Sequence, residues 1–177
     1  MSDLDLALRP PRDEYGDAHV GYLAVAPDGH ILETLRREGE SALALYAGLS
    51  EAQSRQRYAP GKWSIREVLG HVADSERVFA YRALRFGRGD RTPLPGFDQE
   101  VFVPHSRADE RPWPSLIADF AAVRAATLSL LESFGPADWL RTGEASGCRV
   151  SVRAIAWILA GHEAHHRRIL RERYLAG

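Results

Sequence analysis

The sequence predicts an all-α fold, a four-helix bundle, and three observations lead to it. Four segments carry apolar residues at helical spacing, two of them begin at clear capping residues, and no segment shows convincing strand alternation. The 177 residues, 45% of them apolar and 27% charged, fit one globular domain. Four amphipathic helices bury their apolar faces most simply by packing together as a bundle.

The chain begins with a proline-containing stretch of little periodicity, which indicates an irregular lead-in over residues 1–27 with room for one short element. We assign residues 28–177 to the bundle domain. The first helix is predicted from about residue 28 to Ser50. Its apolar residues are Ile31, Leu32, Leu35, Ala42, Leu45, Tyr46 and Leu49.

The second helix has the clearest start. Ser64 and Glu67 form the pattern of a capping box, in which each side chain bonds to the other residue's backbone N–H, and an amphipathic run continues to Phe86. The next stretch, from Gly87 to Trp113, is rich in Gly, Pro and charged residues. We predict that it is a long loop that crosses the bundle.

The third helix is predicted from Pro114 to Phe134, where Gly135 and Pro136 stop it. A polar stretch then leads to Ser151, a good N-cap for a fourth helix that continues towards Tyr174. Four helices are therefore expected, and no strand.

Composition excludes several classes of function. The formal net charge is −1, so no basic field favours nucleic acid or an anionic membrane, and no apolar run indicates a membrane span or signal peptide. Cys148 is the only cysteine, which rules out an internal disulfide and fits a reducing compartment. We expect a cytoplasmic protein that binds neither nucleic acid nor membrane.

Two histidines four residues apart, His162 and His166, are the strongest chemical signal. Side chains at this spacing are neighbours on a helix, and both fall near the centre of the apolar stripe of the fourth helix. His165 falls at the edge of the stripe and is left out. Because two buried imidazoles need partners, they favour a metal over the alternative of core histidines that bond to the backbone.

His71, near one edge of the apolar face of the second helix, is the candidate third ligand. Three neutral imidazoles suit zinc, nickel, copper or iron(II) better than magnesium or calcium. Three protein ligands without an obvious fourth leave a coordination position for water or substrate, as in catalytic sites.

Other polar residues are weighed between functional and structural roles. Glu76 lies on the apolar face of the second helix, where it would orient a ligand imidazole, act as a base, or form an interhelical salt bridge with an arginine, which is the favoured reading. Cys148 is read as an inert small residue rather than a metal ligand. His19, His30 and His105 lack partners at ligand spacing and are assigned to surface or loop positions.

Three blocks of the sequence resemble the DinB-like superfamily of small metal-binding four-helix proteins. They are GKWSIREVLGHVADSERVFAYRALRF, TPLPGFDQ and GHEAHHRRILRERYL, they occur in family order, and the resemblance covers about residues 28–175. It implies zinc or nickel held by His71, His162 and His166. It also implies an up-down-down-up bundle with long crossovers and a homodimer.

Some relatives are transferases or isomerases that use bacillithiol, mycothiol or glutathione, and others carry a hydrolase label. The first hypothesis is therefore a metal-dependent enzyme that activates a low-molecular-weight thiol or water to act on a small-molecule substrate. The second is a non-catalytic metal or small-ligand binding protein, for example in a stress response. A purely structural interaction protein is the third.

Overall fold

The computed structural model describes residues 5–176, so residues 1–4 of the predicted lead-in and Gly177 lie outside the described part. Within it, four long helices form the bundle, and three short helices and one two-stranded sheet lie around them. The long helices are α2 (Ile31–Ala47), α3 (Ile65–Gly87), α5 (Trp113–Glu132) and α7 (Val152–Ile169), and α7 continues into a π-helical turn, Leu170–Tyr174. The short elements are α1 (Val20–Val25), α4 (Gln99–His105), α6 (Pro136–Trp139), β1 (Thr142–Ala145) and β2 (Cys148–Ser151).

The four long helices run up, down, down and up, which confirms the predicted fold class. α5 is antiparallel to α2 and parallel to α3, and α3 is antiparallel to α7. α2 and α3 therefore lie diagonally across the bundle, as do α5 and α7, whereas α3 and α5 are neighbours that run parallel. Long connections join the successive long helices. The direction of α5 against α2 follows from the contacts Trp113–Tyr46 and Arg124–Leu35. The direction of α3 against α5 follows from Arg66–Arg111 and Gly87–Phe134. The direction of α3 against α7 follows from Trp63–Tyr174 and His71–His162.

The predicted caps are present at the two helices that carry the histidines. Ser64 Oγ accepts a hydrogen bond from the Glu67 N–H at 3.1 Å, and the Ser64 N–H donates to Glu67 Oε2 at 2.8 Å. Ser151 Oγ accepts from the Ala154 N–H at 2.9 Å. These bonds satisfy N–H groups that a helix start leaves free, so the register of α3 and α7 is fixed at their first turns.

The prediction that the chain has no strand was wrong. β1 and β2 form an antiparallel hairpin in which Thr142 pairs with Ser151 and Ala145 with Cys148. The turn consists of Ser146 and Gly147, whose φ angles are 55° and 72°. Positive φ at both central residues is the geometry of a tight hairpin turn, and Ser-Gly between short flanks was the signal for it.

The segment between α3 and α5 was predicted as a loop but contains structure. α4 begins at Asp98, whose side chain accepts a hydrogen bond from the Glu100 N–H at 2.9 Å, and a 3-10 turn follows at Ala108–Glu110. Before α4, the Leu94 N–H donates to the Glu144 carbonyl at 2.9 Å. The segment thus crosses to the hairpin and then returns along α3.

Two apolar clusters fill the core, and polar side chains lie between them at mid-height. One cluster includes Phe86 and Trp157, and the other includes Tyr46 and Trp113. Each long helix changes from one cluster to the other where it carries polar or charged residues. We call this set the polar layer; its members are Glu38, His71, Glu76, Arg124, His162, Glu163, His166 and Arg167.

The third long helix, α5, is unusually apolar on its outer side. By length and composition alone this helix would be able to span a membrane. Its most apolar stretch of 18 residues has a mean hydropathy of 1.3, and 33% of that stretch is buried. Helices in the core of soluble proteins pass the same test, and α5 packs on both α2 and α3. Its exposed apolar side lies beside Tyr81 and Leu84 of α3.

In the segment before α2, the backbone of α1 comes very close to the backbone of α7. α1 lies on α7, and a Cβ added to Gly161 would overlap the carbonyl group of Tyr22. Only glycine permits this separation, because every other residue carries a Cβ. The Tyr22 ring consequently meets the His162 ring edge-on, with 5.1 Å between centroids.

Replacing Gly161 with alanine should displace α1 from α7. We expect the free energy of unfolding to fall by about 1 to 3 kcal/mol, since the overlap involves backbone atoms and outweighs the better helix propensity of alanine. Gly21→Ala is the matched control, because a Cβ at Gly21 meets nothing within 4 Å. Urea unfolding of both variants measures the difference, and equal stability of Gly161→Ala and Gly21→Ala would contradict the close approach.

Candidate metal centre

The three predicted histidines come together in the polar layer. Their Nε2 atoms lie 3.1 Å apart between His71 and His162 and 3.2 Å apart between His162 and His166. One ligand atom from each residue lies within 4.8 Å of the others. His71 and His162 are 5% and 4% exposed, and His166 is half-buried.

The helices position these side chains as their spacing predicts. His162 and His166 are four residues apart on the inner face of α7, and the antiparallel α3 presents His71 from across the core. His165 lies outside the cluster, with its ring beside Tyr22 at 5.7 Å between centroids. Trp63 covers the other side of His71 at 4.9 Å between ring centroids.

Burial keeps the three imidazoles uncharged. It lowers the pKa of His71 to about 4 and, helped by the neighbouring histidines, lowers the pKa of His162 to about 3. Burial and the same neighbours also hold the pKa of His166 well below its usual value. At neutral pH each ring therefore has a nitrogen lone pair that a metal ion can use.

The nitrogen geometry fits a small divalent ion. Two nitrogens bound to one tetrahedral zinc at about 2.05 Å lie about 3.3 Å apart, close to the 3.1 Å and 3.2 Å between the Nε2 atoms here. Neutral imidazoles are good ligands for zinc and nickel. Without an ion, adjacent Nε2 atoms can satisfy one another only by sharing a proton, so the cluster suits an ion better.

A cavity of about 280 Å³ opens on one side of the histidines. His71 and His162 form part of its wall, and α1 and the 3-10 turn Asp17–His19 close it from the N-terminal side. Its aromatic residues are Tyr22, Phe79 and Phe97, and its polar residues are His19, Ser75, Arg82, Gln99, Ser146 and Cys148. We call it the main cavity.

A second cavity of about 210 Å³ contacts the third histidine, His166. His166 reaches its wall together with Trp63, Tyr174 and Lys62, and Glu100 of α4 lies at its edge. Only the main cavity contacts two of the three histidines.

Glu76 does not orient an imidazole. Its carboxylate forms a bidentate ion pair with Arg124, with Nε–Oε1 at 2.8 Å and Nη2–Oε2 at 2.9 Å, and Arg124 Nη1 also donates to the Leu35 carbonyl at 2.8 Å. Both side chains are buried. The interhelical salt bridge with an arginine, which the sequence analysis favoured, is therefore correct.

Glu163, next to His162, is a buried carboxylate that sequence reasoning missed. It is 2% exposed, and neither oxygen has a hydrogen-bond partner among residues 5–176. Arg167 Nε lies 3.5 Å from Glu163 Oε1 but is not aligned for a hydrogen bond, and the Arg167 guanidinium pairs with Glu38 instead. Burial raises the pKa of Glu163 to about 7, against the effects of Arg167 and Arg124.

Sequence reasoning also missed most of the main cavity. His19 was assigned to the surface or a loop, yet it is half-buried in the cavity wall, and burial together with Arg82 lowers its pKa. Cys148 lies on β2 in the same wall, not in a loop. Arg82 is 3% exposed although its side chain is charged. Helical spacing was a usable signal for Arg82, which follows His71, Ser75 and Phe79 on one face of α3.

Comparison with known proteins gives consistent results. The sequence model of the DinB superfamily, which describes this protein family, matches residues 34–170 of this chain. A protein of Oceanobacillus iheyensis named "Putative metal-dependent hydrolase OB0413" is 34% identical over 56 residues, which are 31% of this chain and 32% of that protein. The chain thus aligns with about a third of that relative.

A solved structure extends the comparison to the whole fold. YfiT from Bacillus subtilis, described as a probable metal-dependent hydrolase with an unusual four-helix bundle topology, aligns with a TM-score of 0.66. The alignment covers 95% of this chain and 97% of YfiT at 16% sequence identity. At this identity the comparison establishes the shared fold.

The polar layer predicts opposite effects for its two buried glutamates. The folded pKa of Glu163, about 7, exceeds the usual 4.5, so the stability of the protein falls as pH rises from 4.5 to 7. Glu163→Gln should therefore raise the free energy of unfolding by about 3 kcal/mol at pH 8, and by less than about 1 kcal/mol at pH 5.

Glu76→Gln is the matched variant, because it leaves the buried Arg124 without its carboxylate. We expect it to destabilise the protein by about 3 to 5 kcal/mol at both pH values. Urea unfolding of the metal-free protein at pH 5 and pH 8 compares the two. A loss of stability in Glu163→Gln at pH 8 would show that Glu163 is ionised and paired.

Proposed function

This chain belongs to the DinB superfamily, and we propose that it is a metal-dependent enzyme whose ion is held by His71, His162 and His166. The observation that carries the proposal is the convergence of three uncharged Nε2 atoms beside the main cavity. The names of the two compared proteins, both described as metal-dependent hydrolases, support it. Zinc or nickel is the ion we propose.

The main cavity supports a small-molecule substrate. Its volume of about 280 Å³ is at the lower end of ligand sites. When bound, a divalent ion lowers the pKa of a thiol or water molecule that reaches it and so supplies a nucleophile near neutral pH. His71 and His162 line this cavity, so we propose that the substrate reaches the ion from there.

Among the two nucleophiles, we propose a low-molecular-weight thiol as the first candidate and water as the second. The lining of the main cavity includes no Asp or Glu among residues 5–176 that would serve as a base. His19 is its imidazole besides the two ligands, and its lowered pKa makes it a weak base. A thiol, with a free pKa of about 8.5, needs less help to lose its proton than water does.

A non-catalytic metal or small-ligand binding protein is the competing function. The same weakness of available bases favours it, because an enzyme that moves protons usually positions an acid or base beside the substrate.

The homodimer implied by the resemblance stays a prediction. We assign it to the exposed apolar groove between α3 and α5, beside Tyr81, Leu84 and Leu130.

Alanine in place of any one of His71, His162 and His166 should abolish stoichiometric metal binding. His165→Ala should retain it, since that ring lies outside the cluster. Elemental analysis of protein purified without an affinity tag measures bound metal. Thermal unfolding should also show that zinc raises the melting temperature of the wild type and of His165→Ala only, because an ion that binds the folded state stabilises it. Loss of the ion in His165→Ala alone would contradict the ligand set.

Metal-loaded protein should conjugate a low-molecular-weight thiol to an electrophile such as monochlorobimane. Bacillithiol, glutathione and mycothiol are tested with this acceptor, and ester and amide substrates are tested in parallel. We expect conjugation in the wild type and in His165→Ala, and none in His71→Ala. Hydrolysis without conjugation would assign the nucleophile to water. Turnover in neither assay, with metal bound, would favour the binding protein.

A further inference from the structure

Four arginines are buried in this protein, and one of them differs from the others. Arg66, Arg124 and Arg167 each form an ion pair with a glutamate, namely Glu51, Glu76 and Glu38. Arg82 is 3% exposed and has no carboxylate within 4.0 Å among residues 5–176. A buried charge without a counterion is costly, so buried arginines are normally paired.

The contacts of Arg82 leave part of its guanidinium unused. Nη2 donates to the Pro95 carbonyl at 3.0 Å and to Ser146 Oγ at 2.8 Å. The group also lies over the rings of Phe79 and Phe97, at 5.4 Å and 5.9 Å from their centroids. Nε and Nη1 have no hydrogen-bond partner in the described part of the chain. The arginine is thus held in place by neutral groups while two of its nitrogens remain available.

Arg82 lines the main cavity together with His71 and His162. The centroid of the Phe79 ring lies 5.4 Å from the guanidinium carbon of Arg82 and 6.5 Å from the centroid of the His162 ring. The guanidinium and the His162 ring are therefore less than 12 Å apart. One small molecule can reach both.

The charge of the main cavity matches a single negative charge. Arg82 is its one charged side chain, because His19 is held neutral by burial and by Arg82. Its other polar groups are the hydroxyls of Tyr22, Ser75 and Ser146, the amide of Gln99 and the thiol of Cys148. A phosphate dianion is usually bound by several cationic groups or by a row of backbone N–H groups. A carboxylate requires only one guanidinium.

We propose that the small-molecule ligand of the main cavity carries a carboxylate, and that Arg82 binds it while the other end of the ligand faces His71 and His162. The position of the second end rests on the function proposed above. Arg82 is then a specificity-determining residue, whose free Nε and Nη1 select a monoanion. The aromatic rings of Phe79 and Phe97 favour an apolar or planar portion next to the carboxylate.

Calorimetric titration of metal-free protein at pH 7.5 with benzoate and benzamide tests this proposal. The two probes share a shape and differ in charge, and removal of metal prevents the carboxylate from binding an ion instead. We expect wild-type protein and Arg85→Gln to bind benzoate at least tenfold more tightly than benzamide. Arg85 is the matched control, since it lies one turn further along α3 and pairs with the solvent-accessible Asp90. Arg82→Gln should lose the preference.

A second measurement in wild-type protein locates the probe and does not depend on the folding of a variant. Cys148 is the only cysteine and lies in the wall of the main cavity. Benzoate, but not benzamide, should slow its alkylation by neutral iodoacetamide. Equal binding of the two probes by the wild type, a preference that persists in Arg82→Gln, or unprotected Cys148 would each overturn the proposal.

These outcomes are separate from those that test the proposed function. Benzoate selectivity that depends on Arg82 in a protein that neither binds metal nor turns over a thiol would retain the carboxylate site and remove the enzyme. Metal-dependent conjugation without benzoate selectivity would do the reverse. Arg82→Gln should still unfold cooperatively in urea, because no glutamate loses its partner and only the donor to the Pro95 carbonyl and Ser146 Oγ is removed.

Discussion

The polar layer is the constraint on which the rest of the structure depends. A bundle of this size gains its stability from apolar burial, and every charge placed in the middle of it must be neutralised there. Arg124 and Arg167 neutralise Glu76 and Glu38. Glu163 is then the excess carboxylate, and its raised pKa is the result. The histidines avoid the problem in the opposite way, by remaining unprotonated.

The same layer joins the four helices to one another. The Glu76–Arg124 pair connects α3 to α5, Arg124 reaches the backbone of α2, and Arg167 of α7 reaches Glu38 of α2. Because each pair has a defined geometry, the layer fixes how far the helices slide along one another. It thereby fixes the height at which α3 presents His71 to α7. The position of the histidines is therefore a property of the whole bundle.

Local patterns were sufficient to predict the helices and the histidine cluster. Ser64, Glu67 and Ser151 act within one helical turn, and His162 and His166 are neighbours on one helix, so each signal is contained in a few adjacent residues. His71 was chosen with the help of its place on an apolar face. The up-down-down-up order came only from the resemblance, since periodicity does not state which helices are neighbours.

Features that depend on distant contacts were not predicted. The partner of Glu76 is 48 residues away, and the choice among 22 arginines is made by packing, not by spacing. His19 and Cys148 meet only because α1 and the hairpin fold onto the same side of α7. The hairpin itself was missed for a different reason: its strands have four residues each, and their polar composition resembles a loop.

The walls of the main cavity differ in the free energy needed to displace them, because one of them is the short helix α1 packed at Gly161. Part of the wall belongs to the long helices α3 and α7, which separate only when the whole bundle unfolds. The N-terminal side is formed by the 3-10 turn Asp17–His19 and by α1. α1 has six residues, which makes it too short to be stable by itself. Its detachment is a local unfolding event, which costs less free energy than global unfolding. Exchange of a ligand with solvent can therefore proceed by fraying of the chain near its beginning, while the histidines and their supporting ion pairs stay assembled.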